Sequence, residues 1–195
     1  MKETIERIQD WYKINCNGDW EHSYGFKIAT LDNPGWAIKI DIAETALENL
    51  EFQREYQNPK NDSDWFQIRT ENKILNIYCG PESMKSTFEI FFDELIPKYS
   101  DYNFEYEIYL PLDGFEIEVW TPAKSKIVNE RSVQITEIEM IKYEKIKVRD
   151  VERINFTQTE IEKSKLNFSV GDILEVEIVQ VFDGIILTTK NKNEN

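Results

Sequence analysis

The chain has 195 residues, 41% of them hydrophobic and 13% aromatic, which is enough apolar material for a core and excludes wholesale disorder. Its net charge is −14, from 23 basic and 37 acidic residues, and this excess of carboxylates argues against nucleic acid or an anionic membrane as a direct partner. No stretch approaches the roughly 20 apolar residues of a membrane span, and the start Met1-Lys2-Glu3-Thr4-Ile5 lacks the apolar segment of a secretory signal.

Two cysteines, Cys16 and Cys79, do not make a disulfide framework. Together these features lead us to expect a cytoplasmic protein, and the length suits one large domain or two small ones.

Residues 2–14 predict an amphipathic helix, with Ile5, Ile8, Trp11 and Tyr12 at helical spacing and Asn15 to Gly18 ending it. Tyr24, Phe26 and Ile28 alternate as a half-buried strand. Asn33-Pro34-Gly35-Trp36 has the form of a type II turn, with proline second and glycine third. Trp36, Ile38, Ile40 and Ile42 form the returning strand. Residues 46–57 suit either a strand or a helix.

Residues 64–70 and 73–79 predict another antiparallel pair. Pro81 opens a helix whose buried stripe is Met84, Phe88, Phe91, Phe92 and Leu95, and Pro97 marks its end. Beyond residue 98 the pattern is mostly β. Leu112-Asp113-Gly114-Phe115 and Phe182-Asp183-Gly184-Ile185 both carry the Asp-Gly signal of a two-residue hairpin. One or two further strands are expected in 133–156 and a short helix in 157–166. The expected class is α+β: an antiparallel sheet with N-terminal and central helices over residues 1–97, then a mostly β extension or second domain over 98–195.

The segments Trp11-Tyr12, Cys16-Asn17-Gly18-Asp19-Trp20-Glu21-His22, Tyr24-Gly25 and Thr30-Leu31-Asp32-Asn33-Pro34-Gly35-Trp36 occur in an order that resembles the immunity protein 53 family. The resemblance covers about residues 1–97, with Asn17 where the family usually shows aspartate. Those are bacterial proteins of polymorphic toxin systems. The resemblance implies an inhibitor whose partner is a cognate toxin, and it supplies no catalytic residues.

Cys16, Asp19, Glu21 and His22 have the chemistry of a metal site or a Cys–His nucleophile pair. A metal motif usually draws ligands from two spaced pairs, however, and this chain has a single histidine. Some relatives carry a sulfurtransferase label, but that chemistry needs a cysteine activated by cationic or backbone donors, and carboxylates beside Cys16 would suppress its thiolate. The competing reading is a turn leading into a strand, with Asp19 capping backbone amides. No catalytic residue, metal or cofactor is therefore assigned.

Trp36 is expected to be core, and Trp20, in a polar loop, to be a partner anchor. The segment 99–122 holds Asp101, Glu105, Glu107, Asp113, Glu116 and Glu118 without lysine or arginine. A tight turn at Asp113-Gly114 would place Leu112 opposite Phe115. One face would then hold Phe104, Tyr106, Ile108, Leu110, Leu112, Phe115, Ile117 and Val119 as core. The other would collect Glu105, Glu107, Tyr109, Glu116, Glu118 and Trp120, with Tyr109 facing Glu118 and Glu107 facing Trp120. Carboxylates and aromatics on one face suit a basic protein.

Lys142, Lys145, Lys147, Arg149 and Arg153 are too sparse, and too interrupted by acids, for a nucleic-acid patch. The leading expectation is an immunity protein that binds a toxin. The alternatives are a small enzyme using Cys16 or His22, or an adaptor with another basic partner.

Overall fold

The computed structural model describes residues 3–138, 146–149, 156–182 and 184–190. The fold is α+β and mostly β. The chain divides into two compact units: Met1–Tyr12 with Trp20–Phe104, and Lys13–Asp19 with Glu105–Asn195.

Helix α1 spans Thr4–Asn15 and a single helical turn, α2, spans Trp20–Ser23. Strands β1 (Phe26–Leu31), β2 (Gly35–Asp41), β3 (Gln53–Gln57), β4 (Trp65–Glu71) and β5 (Ile74–Cys79) form an antiparallel sheet in the order β1-β2-β5-β4-β3. Period-two alternation sends Ile38, Ile40, Ile68, Leu75 and Ile77 to one face, where they are fully buried. The core of this unit joins them to Trp11, Trp20, Phe88, Phe91, Phe92, Leu95 and Ile96. Ile5, expected on the buried stripe of α1, is instead 67% exposed; the stripe runs through Ile8 and Trp11.

Two turns show how local chemistry sets the register. Asn72 and Lys73 both have positive φ, 51° and 58°, and join Glu71 to its partner Ile74. That is the geometry of a type I′ hairpin, whose twist matches the strands it connects. The expected type II turn at Asn33–Trp36 is not formed as read. Leu31 pairs with Gly35, so the turn is Asp32-Asn33-Pro34 and Gly35 already belongs to β2. Glycine is needed there because a Cβ would lie 2.5 Å from the Cys79 carbonyl oxygen of β5.

Trp36 is half-buried rather than core, with its indole N–H donating to the Pro81 carbonyl at 3.2 Å. The central helix begins later than Pro81 and runs past Pro97, as α3 (Met84–Glu89), a π-helical stretch (Ile90–Leu95) and α4 (Ile96–Tyr99). The Ile96 N–H bonds to the Phe91 carbonyl, five residues back. This wider turn relieves the clash a proline ring makes with the preceding turn, so Pro97 does not stop the helix.

In the second unit, β6 (Tyr106–Asp113), β7 (Val119–Asn129) and β8 (Ser132–Ile138) form an antiparallel meander. They are followed by β9 (Lys147–Val148), α5 (Gln158–Lys163), β10 (Lys165–Leu166), β11 (Ile173–Glu175), β12 (Glu177–Val181) and β13 (Gly184–Thr188). The sheet order is β11-β8-β7-β6-β13-β12, with β10 also on β6, β9 also on β7, and β13 parallel to β6.

Helix α5 starts in a capping box. The Glu160 N–H donates to Thr157 Oγ1 at 3.2 Å, and the Thr157 N–H donates to Glu160 Oε2 at 2.8 Å. The second hairpin forms with Val181 opposite Gly184, so Gly184 opens β13 instead of completing the turn. Asp183, Lys142, Lys145 and Arg153 lie outside the described residues.

Candidate functional site

The acidic hairpin is rebuilt by its neighbours. Its pairs run from Tyr106↔Ser125 to Pro111↔Trp120, so the register is offset from the one a two-residue turn would impose. Leu112 and Asp113 pair with Leu166 and Lys165 of β10, while Val119 and Trp120 pair with Val148 and Lys147 of β9. Distant segments thus pair with the ends of both strands, and 114–118 forms a wide loop between them. Gly114, at φ 99°, is seated against β10's approach, where a Cβ would lie 2.5 Å from the Lys163 carbonyl oxygen.

The inward face holds in part. Tyr106, Ile108, Leu110, Leu112 and Val119 are buried. Phe115 is half-buried against Phe156 (ring centroids 4.9 Å apart), and Ile117, expected in the core, is 47% exposed in the loop.

On the opposite face Trp120 is 4% exposed and clusters with Val181 and Ile186, with Tyr109 and Val179 against it. The sheet curls so that β12 and β13 pack against this indole, which is interior and not the surface residue expected. Trp20 is likewise not a surface residue. It opens a helical turn, is 1% exposed, donates its indole N–H to the Ala43 carbonyl at 2.9 Å, and meets the Trp11 ring edge-on at 5.9 Å.

The carboxylates remain on the surface but form two groups. Glu116 and Glu118 are exposed in the loop and border a shallow cleft of about 330 Å³ with Trp120, Arg149, Glu177 and Lys190. Glu118 is paired with Arg149, whose guanidinium lies 5.8 Å from the Trp120 ring centre. Glu105 and Glu107 are exposed near Lys124, four positions along β7 from Trp120, roughly 13 Å at a strand's rise.

Lys124 reaches both Glu137 (3.1 Å) and Glu105 (3.5 Å), and these contacts raise its pKa, the Glu137 hydrogen bond first. The Tyr109 hydroxyl donates to Glu107 at 2.8 Å. A segment without lysine or arginine is therefore given cations by other segments, Lys124 and Arg149, which reading 99–122 alone missed.

The cysteine–histidine cluster lacks an accessible thiol. Cys16 is 1% exposed, whereas Asp19 and His22 are exposed. The turn is held by Asn17, whose side-chain oxygen accepts the Asp19 N–H at 3.0 Å, the role expected of Asp19. Burial pushes the Cys79 thiol up, partly offset by a hydrogen bond with Thr87. Among the described residues no group of three or more His, Cys, Asp or Glu is arranged to hold a metal, and no helix is long and apolar enough to cross a membrane.

Neither a curated protein nor a solved structure matches the chain. Residues 5–95, a stretch that takes in helix α1, the five-stranded sheet and the π-helical segment, match the family model described as Immunity protein 53.

Proposed function

We propose that this chain is a cytoplasmic immunity protein that neutralises a cognate bacterial toxin by binding it, without catalysis. The observation that carries the reading is the family match over residues 5–95. The surface chemistry supports it: a chain of net charge −14 exposes Glu105, Glu107, Glu116 and Glu118 around a half-buried Tyr109. Such carboxylates accelerate encounter with a basic protein and fix its orientation. With Trp20 and Trp120 in the interior, the apolar contact at this surface falls to Ile117, which stands exposed between Glu116 and Glu118.

The test is co-expression with the toxin encoded beside this chain's gene, followed by purification of the complex. Protection with a stable complex is expected. Protection without any complex would overturn binding as the mechanism. Cys16→Ser and His22→Ala, made separately, are expected to protect within a few-fold of wild type, because a buried thiol and a solvent-exposed imidazole do not compose a reaction centre. A variant that folds and still binds the toxin but fails to protect would restore the enzyme reading. Glu107→Lys with Glu118→Lys should slow association and weaken its salt dependence, read by surface-binding kinetics at two ionic strengths.

A further inference from the structure

The five-stranded sheet packs one face against the helices, and its other face is exposed at the outer strands, with Asn76 buried at its centre. In register across that open face run Lys27, Lys39, Asn76, Arg69 and Gln53, one from each strand. Lys27, Lys39 and Arg69 are exposed, and the distance from the first to the third is three strand spacings, about 14 Å. Lys27 and Lys39 stand directly opposite each other. Like charges so placed destabilise a sheet. In a chain with 37 acidic residues, pairing either lysine with a carboxylate would remove that cost.

Among the described residues neither lysine has a carboxylate partner, and Arg69 has only a long contact to Glu71 at 3.7 Å. The nearest acid on β2 is Asp41, two positions from Lys39 on the same face, where its carboxylate accepts the Gly25 N–H at 3.1 Å. The adjoining row starts with Ala29 opposite Ala37, whose small side chains leave the lysines uncovered.

We infer that this cationic row is a docking surface for a carboxylate-bearing surface of the toxin. The assignment rests on the immunity reading and deepens it. The family match covers residues 5–95, and within that stretch this is the face of the sheet that the core does not use, a second contact surface in addition to the carboxylates at 105–118. The overall negative charge weighs against phosphates as the occupant, because long-range repulsion opposes a polyanion, whereas a folded partner presents its acids locally.

The experiment has two arms on the full-length chain. In the first, a short, otherwise neutral peptide bearing two glutamates is titrated while backbone amide shifts are followed. Shifts centred on Lys27, Lys39 and Arg69 are expected, abolished by Lys27→Gln with Lys39→Gln and weakened by salt. Absence of shifts there, or retention of affinity in the double variant, would overturn the site. In the second arm, the toxin from the neighbouring gene is bound to wild type and to Lys27→Glu with Lys39→Glu, each checked for native circular dichroism. An affinity loss of about tenfold or more is expected. Wild type that fails to bind this toxin refutes the immunity reading and the inference together. Wild type that binds, with an equally tight reversed variant, refutes this surface alone.

Discussion

The two units use a β-sheet in opposite ways. In the first, helices and a one-turn segment cover a single face, and the core is largely ring against ring: Trp11 meets Trp20, Phe26 and Phe91 edge-on at 5.9, 5.1 and 5.5 Å. In the second, the sheet covers itself. It curls until β12 and β13 lie over Trp120, and short strands from far along the chain pair with the ends of β6 and β7. A sheet capped by helices keeps one face free for a partner. A sheet that curls on itself leaves its rims and loops instead, and there the exposed carboxylates of the acidic segment are found.

The largest expected effect tests the helix-covered core. Phe91→Ala removes a fully buried ring in contact with Trp11, Phe26 and Phe92 and should destabilise by about 3–5 kcal/mol in denaturant unfolding. Trp120→Ala should cost nearly as much, about 3 kcal/mol, because it empties the small cluster under β12 and β13. A normally stable Trp120→Ala variant with impaired toxin binding would instead return this residue to the surface and break the contrast between the units.

These two residues also show what the sequence made legible. Phe91 was placed in the core because helical spacing is a local property, and a stripe at 3–4 residue intervals needs no knowledge of distant segments. Likewise Asn72-Lys73 joins adjacent strands, so the pair at 65–79 follows from its own alternation. Trp120 was misplaced because its burial depends on β12, β13 and β9, none of which can be read from the hairpin itself. The Asp113-Gly114 signal was overridden for the same reason: Leu112 pairs with Leu166 of β10, whereas a tight turn would have set it opposite Phe115. Sites built from one stretch, such as the turn at Asn17, were partly legible, and the split of the acidic residues by Lys124 and Arg149 was not.

Smaller effects sharpen the picture within each unit. Gly35→Ala forces a Cβ against the Cys79 carbonyl and should cost about 1–3 kcal/mol by separating β2 from β5, again by denaturant unfolding. Lys73→Gly should stabilise by about half a kcal/mol, since it removes a left-handed non-glycine residue and loses only an exposed pair with Glu48.

The last effect is confined to α5. Hydrogen bonds from Thr157 hold the Glu160 carboxyl below its ordinary range. A depressed carboxylate contributes its stability above the unfolded pKa and loses it as pH falls through the folded value. Amides at the start of α5 should therefore exchange faster, relative to the rest of the unit, once the pH drops below the carboxylate range. Thr157→Ala should weaken that pH dependence, since the backbone N–H at 157 still donates to the carboxylate.

The segment Lys13–Asp19 belongs with residues that begin at Glu105, although the whole five-stranded sheet is encoded between them. On the ribosome this segment emerges first and waits while residues 20–104 are made, several seconds at roughly 5–20 residues per second. The Asn15 side chain receives the Tyr106 hydroxyl only after residues 20–104 have been made. Synthesis order therefore makes the second unit dependent on a piece of chain delivered early. A fragment starting at residue 105 would lack a component that no later part of the chain can supply.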